Sequence, residues 1–94
     1  MGAIADKHRA ARAARSAPNI DLFMDGIDVE LGRTVTRQLL RNYPDFVPAL
    51  QRGRFARAWL TVEDAMNAGD LDQDQAQTIA GLAVQYGIPT PEQT

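Results

Sequence analysis

The sequence contains no cysteine, and this absence excludes a whole group of functions. Without thiols the chain forms no disulfide, builds no thiolate metal site and offers no cysteine nucleophile. The only histidine is His8 and the only serine is Ser16, so no Ser-His-acid triad can be assembled. A histidine-based metal site needs more ligands than this chain has. We therefore expect a protein that is not an enzyme and that binds neither a metal nor another cofactor.

Long apolar runs are also missing. No segment approaches the roughly 18 consecutive apolar residues that a membrane span requires. The first residues lack the apolar stretch of a secretory signal. Arg9, Arg12 and Arg15 leave a mitochondrial transit peptide as an alternative, but Asp6 and a weak apolar face match it poorly. We expect a cytoplasmic bacterial protein or a virion-associated one.

Large apolar side chains are scarce. Hydrophobic residues make up 45% of the 94 residues, but aromatic residues make up only 6%, and much of the remainder is alanine. A chain of this length forms one domain and buries about 60–65% of its unfolded surface. The core is therefore modest, and a second surface from a partner would complete it.

Charged residues are sorted along the chain into four blocks of alternating sign. Residues 1–18 carry a net charge of +3, residues 19–32 carry −4, residues 33–57 carry +5 and residues 58–94 carry −6. The blocks nearly cancel, to a formal net charge of −2. Each cationic surface therefore needs an anionic counterpart, either within the fold or on a partner.

The pattern of apolar residues predicts an all-α fold, namely a small helical domain of three to four helices with an N-terminal basic arm. We define the arm as residues 1–18, which are rich in alanine and arginine. Such a short helix is marginal in water by itself, so we expect the arm to be ordered only when docked. The helical domain is expected at residues 19–88, and a flexible C-terminal tail at 89–94.

Helical periodicity and helix-ending residues divide the domain. The predicted helices cover residues 19–43, 54–68 and 72–86, with a short turn of helix or a linker at 44–53. In the first of them apolar residues recur at intervals of four, at Ile27, Leu31, Val35 and Leu39. This helix would run through Gly26, at a cost of about 1 kcal/mol, and end at Pro44.

The helix ends carry recognisable signals. Asn19 or Asp21 is positioned to cap the first helix. Gly69 is positioned to close the second, and Asp72 with Gln75 forms a capping-box pattern for the third.

The largest apolar face belongs to the predicted helix at 54–68. Trp59 lies at its centre, and we expect it to be buried with Leu39, Phe55 and Ile79. Thr61 begins a second capping-box pattern, which would split this helix in two. We favour a single helix.

Three arginines form the clearest candidate binding stripe. Arg33, Arg37 and Arg41 are spaced by four and so share one face of a helix. Their mutual repulsion costs roughly 0.2–0.5 kcal/mol per pair. We expect carboxylates of the same chain to offset it at least in part, and the available acids are Glu30, Asp64, Asp70, Asp72 and Asp74. The alternatives are an acidic protein partner or the phosphates of a nucleic acid.

Arg52, Arg54 and Arg57 form a second basic group, beside Phe55 and Trp59. Aromatic residues among arginines can stack on bases, but these two aromatic residues have the spacing of a core face. The candidate partner-binding or anion-binding residues are Arg9, Arg12, Arg15, Arg33, Arg37, Arg41, Arg52 and Arg54.

Asp70, Asp72 and Asp74 alternate as in the first half of a calcium-binding loop. The pattern then fails, because Gln75 stands where that loop needs glycine and Gly81 where it needs glutamate. Capping of the following helix accounts for these acids better.

These observations predict a non-catalytic structural or adaptor subunit that makes protein–protein contacts in a larger assembly, of which a phage particle is one example. The alternative is an arginine-rich nucleic-acid-binding or regulatory protein. No helix-turn-helix, zinc-finger or other nucleic-acid-binding motif supports that alternative. We expect no membrane partner and no small-molecule substrate.

Overall fold

The computed structural model describes residues 18–91, and the regular elements that lie wholly within that range are α-helices. The helices are α1 (Ile20–Leu31), α2 (Arg33–Asn42), α3 (Phe46–Gln51), α4 (Phe55–Ala68) and α5 (Gln73–Gln85). The predicted all-α class is confirmed. The five helices of residues 18–91 exceed the predicted three to four, because the first predicted helix is broken at Gly32 and the segment 44–53 forms α3. The sequence allows a short helix in that segment, so the break accounts for the excess.

The break between α1 and α2 lies at Gly32. Its backbone has φ +91° and ψ +153°, a conformation that is essentially restricted to glycine. The single helix predicted at 19–43 is therefore wrong. Ile27 and Leu39 are nevertheless both buried, as their spacing predicts. The apolar period continues across the break because it marks the buried face and not the continuity of the helix.

The segment predicted as a short helix or a linker forms α3. Phe46 and Leu50, one turn apart, are almost completely buried. This helix ends where the N–H of Gly53 donates to the carbonyl of Leu50, and Gly53 has φ +73°. A tight turn then leads into α4.

The predicted helix ends are confirmed. The side chain of Asn19 accepts a hydrogen bond from the N–H of Leu22 at 3.1 Å. Gly69 closes α4 in the left-handed conformation, and Asp72 and Gln75 form a reciprocal capping box at the start of α5. Helix α4 is continuous, as we favoured.

The core joins all five helices. Helix α1 packs against α2 and α5, α3 packs against α4, and α4 packs against α5. The largest buried side chains are Phe23, Ile27, Leu39, Phe46, Leu50, Trp59, Ile79 and Ile88. The predicted burial of Trp59 is confirmed at 9% exposure, and Phe55 is half-buried against the same cluster.

Close approach of α1 to α5 explains a glycine in the middle of α1. A Cβ atom on Gly26 would lie 2.9 Å from Cδ2 of Leu82. The N–H of Asn19 also donates to the carbonyl of Tyr86 at 3.0 Å, which fixes the start of α1 to the end of α5. Glycine at position 26 therefore lowers the helix propensity of α1 but allows α1 and α5 to pack closely.

The packed chain continues beyond residue 88. The sequence predicts a flexible tail from residue 89, but Nε1 of Trp59 donates to the carbonyl of Pro89 at 2.6 Å and Thr90 is only 2% exposed. The buried indole needs an acceptor, and the chain after α5 supplies it. The rest of the predicted tail, residues 92–94, and residues 1–17 of the arm lie outside the described residues.

Candidate interaction surfaces

The arginine stripe of α2 is exposed, and its guanidinium groups form no ion pair of 4.0 Å or less with an acid among residues 18–91. Arg33, Arg37 and Arg41 all have exposed side chains. In the described part of the chain the ion pair within 4.0 Å joins Arg57 to Asp45, and none involves the stripe. Within residues 18–91 no ion pair of 4.0 Å or less supports the expectation that carboxylates of this chain offset the stripe, and an acidic protein partner stays a prediction.

Two of the expected acidic partners have other roles. Asp70 accepts a hydrogen bond from the hydroxyl of Tyr43 at 2.8 Å, and Asp72 caps α5 through the N–H of Gln75 at 2.7 Å. The hydrogen bond to Asp70 raises the pKa of Tyr43 above its ordinary value, because it stabilises the neutral phenol beside a carboxylate. These acids thus fix the end of α2 and the start of α5.

A cleft of about 320 Å³ opens between α3 and the start of α4, and we call it the arginine cleft. Its walls are formed by Asp45, Pro48, Ala49, Arg52, Arg54 and Arg57. It brings together the predicted site residues Arg52 and Arg54, and it adds Arg57. The ion pair of Arg57 with Asp45 is 3.8 Å long and mostly exposed, so it neutralises the cleft only weakly.

The arginine cleft lies at the positive end of a helix. Arg54 is the N-cap of α4 and makes no side-chain capping hydrogen bond, Arg57 lies in the first turn, and that turn holds no acid. A basic side chain near a helix N-terminus is unfavourable by about 0.3–1 kcal/mol, where an acid would be favourable by as much. The sequence places cations where the backbone favours an anion.

A second concave surface runs between α4 and α5, and we call it the apolar groove. It has a volume of about 390 Å³. Its lining consists of Trp59, Val62, Glu63 and Met66 from α4, Gln73, Ala76, Gln77 and Ala80 from α5, and Pro91. Met66 is 36% exposed, and among residues 18–91 Glu63 is the only charged residue in the lining.

The face of α5 that lines the apolar groove extends further along the helix. Gln77, Ala80 and Val84 are spaced by three and four residues and so share one side of α5. Val84 is 62% exposed. Leu60 of α4 is also 52% exposed, but it does not line the groove. Met66 and Leu60 are thus two exposed apolar residues of α4, of which only Met66 lines the apolar groove, so substitutions at the two positions can be compared directly.

The apolar groove cannot be predicted from the sequence, because its walls come from two helices whose relative position is not encoded in the apolar period of either helix. Two of the three arginines of the cleft, Arg52 and Arg54, are predicted site residues. The remaining predicted site residues, Arg9, Arg12 and Arg15, lie outside the described residues. The aromatic residues of the second basic group serve the core: Trp59 is buried and Phe55 is half-buried.

Residues 18–91 contain no group of three or more His, Asp or Glu side chains that could hold a metal ion. No helix in this range is both long enough and apolar enough to cross a membrane. Comparison of the chain with protein-family models, with curated proteins and with solved structures found no match.

Proposed function

We propose that this chain is a non-catalytic structural or adaptor subunit that makes protein–protein contacts in a larger assembly. The apolar groove between α4 and α5 carries this proposal. A cytoplasmic or virion-associated location suits the role, and a subunit of a phage particle would have these properties. The occupant of the groove that we propose is the arm of a neighbouring copy of the chain, which makes the assembly a head-to-tail one.

The shape and chemistry of the apolar groove favour a helical segment. Two helices form its walls, as in other sites where a partner helix lays an apolar face into a groove. Ala76 and Ala80 are small, so they allow a close approach by another backbone. Exposed Met66 offers an adaptable apolar contact at the groove.

Charge complementarity favours the arm as that segment. Residues 58–91 hold five acids and no base, whereas residues 1–17 hold four bases and one acid. No ion pair shorter than 4.0 Å neutralises any of those five acids in the described part of the chain. The arm also has small apolar residues to match a shallow groove, with Ile4 as its largest internal anchor. Glu63 in the lining, together with the net negative charge of residues 58–91, can therefore attract the arm, and the apolar lining can hold it.

The test is the size of the assembly formed by the full chain and by two matched variants. Met66→Lys places a positive charge in the groove, whereas Leu60→Lys places the same charge on the same helix outside it. Sedimentation velocity over a range of concentrations should show association of the wild type and of Leu60→Lys, and a monomer for Met66→Lys. Equal effects of the two substitutions, with both variants folded by circular dichroism, would contradict the proposal, as would a wild type that stays monomeric.

A second candidate function, nucleic-acid binding, is favoured by the exposed stripe of Arg33, Arg37 and Arg41. These guanidinium groups form no ion pair within residues 18–91, and guanidinium matches phosphate geometry. In that case the wild type should bind generic DNA with an affinity that falls steeply as salt rises, and the triple change to glutamine should abolish this binding. If the stripe serves a protein partner instead, the triple variant should weaken assembly, and neither form should bind DNA.

A further inference from the structure

We propose that the arginine cleft is a binding site for the dianionic phosphate group of a small molecule, such as inorganic phosphate or a nucleoside monophosphate. This site is separate from the apolar groove and does not depend on the function proposed for the groove. The inference rests on three guanidinium side chains that line one cleft of about 320 Å³.

The arginine cleft concentrates positive charge that the rest of the described chain leaves largely unbalanced. Arg52, Arg54 and Arg57 line it, and Asp45 is the only acid that residues 18–91 contribute to its walls. That acid is paired with Arg57 alone, at 3.8 Å, and the exposure of both side chains weakens the pair through solvent screening. The field of α4 adds to the positive potential, because the cleft lies at its N-terminus. An anion in the cleft would offset the positive charge of the three guanidinium groups and interact favourably with the N-terminus of α4.

The chemistry of the cleft selects a phosphate monoester. Planar guanidinium groups recognise the oxygens of phosphate in pairs, by charge-assisted hydrogen bonds. Three arginines and one aspartate give the cleft a formal charge of +2. A phosphate monoester carries close to −2 above its second pKa of about 6, whereas a phosphodiester carries only −1. The charge balance therefore favours a terminal phosphate over a nucleic-acid backbone.

The test is a titration of the full chain, labelled with ¹⁵N, with inorganic phosphate and separately with adenosine monophosphate at pH 7.5. Both probes should shift the amide signals of residues 53–57 in a saturable way. Dimethyl phosphate, a singly charged diester, should bind at least about tenfold more weakly, as the loss of charge-assisted hydrogen bonds implies. Lowering the pH through about 6 should weaken the binding of phosphate, because the second proton returns to the ligand.

Matched variants distinguish binding in the arginine cleft from a general effect of the protein's net charge. Arg54→Gln should weaken phosphate binding about tenfold or more, whereas Arg33→Gln, which removes the same charge from α2, should leave it unchanged. Asp45→Asn should tighten binding, because it releases Arg57 and removes a repulsive carboxylate. Equal losses in Arg54→Gln and Arg33→Gln would overturn the proposal. So would dimethyl phosphate or an unphosphorylated oligonucleotide that binds as tightly as phosphate, or shifts spread evenly over the surface.

Discussion

At the scale of single residues, Trp59 connects the helices to the chain that follows them. Its ring is buried in the core, and its indole N–H donates to the carbonyl of Pro89 at 2.6 Å. The sequence predicts the burial, because Trp59 is central on an apolar face. It does not predict the hydrogen bond, because the acceptor is a backbone carbonyl 30 residues further along the chain.

Replacement of Trp59 tests this connection. Trp59→Ala should lower the free energy of unfolding by about 3–5 kcal/mol, enough to unfold much of a domain of this size. Trp59→Phe retains much of the packing and loses the hydrogen bond, so the loss should be clearly smaller. Urea unfolding followed by circular dichroism measures both. An unchanged midpoint for Trp59→Ala would contradict the assigned core.

Tyr43 makes the stability of the fold depend on pH in the alkaline range. Its pKa is raised in the folded state by the hydrogen bond to Asp70, so the folded state holds its phenol proton more tightly than the unfolded state. The Tyr43 hydroxyl therefore makes its full contribution to the free energy of unfolding below the ordinary tyrosine pKa of about 10. This contribution is lost as the pH rises through the pKa of Tyr43 in the folded state.

Tyr43→Phe removes this dependence. Between pH 8 and pH 11 the urea midpoint of the wild type should fall more steeply than that of Tyr43→Phe, and the two curves should approach each other at high pH. The same slope in both proteins would show that the bond to Asp70 does not contribute to stability.

At the scale of helices, local signals predicted the ends of elements better than their continuity. The caps at Asn19 and Asp72 and the stop at Gly69 depend on one or two neighbouring residues, which the sequence displays directly. The break at Gly32 was missed because a glycine inside a regular apolar period is compatible with a continuous helix. The concave surfaces were missed because each needs side chains from two elements.

A comparison of two glycines tests the break between α1 and α2. An added Cβ would meet no atom within 4 Å at Gly32 or at Gly69, so only the backbone conformation distinguishes them. Gly32→Ala should cost about 1–3 kcal/mol, because φ +91° with ψ +153° is a glycine conformation. Gly69→Ala should cost about 1–2 kcal/mol, because the left-handed region is less strained. Thermal unfolding should rank the variants in this order; a larger loss at Gly69 would contradict the account of the break.

At the scale of the whole molecule, the alternating charge blocks do not cancel within the described fold. The ion pair between Arg57 and Asp45 is weak and exposed, and the stripe of α2 and the acids of the α4–α5 region form no ion pairs within residues 18–91. The blocks are evident in the sequence, but whether the counterpart of each block lies in the same fold or on a partner depends on tertiary geometry. The charges that the fold leaves unbalanced are thus available to partners.

Deletion of residues 1–17 tests whether the arm belongs to the assembly or to the domain. We expect the melting temperature and the helical signal of residues 18–94 to change little, because only Ile4 among internal positions of the arm offers a large apolar side chain. We expect association in sedimentation velocity to be lost. A deletion that melts the domain would show that the arm is part of the core.

The central claim is that the arm of one copy occupies the apolar groove of another, and the most direct test is zero-length cross-linking of mixed isotopes. Lys7 is the only lysine of the chain, so carbodiimide coupling joins the arm to carboxylates through Lys7 or the terminal amine. Full chains with ¹⁴N and with ¹⁵N are mixed, coupled and analysed by mass spectrometry. The account predicts links from the arm to Glu63 of the groove in pairs that carry one light and one heavy chain. Links confined to chains of a single isotope, or directed to acids outside residues 58–91, would contradict it.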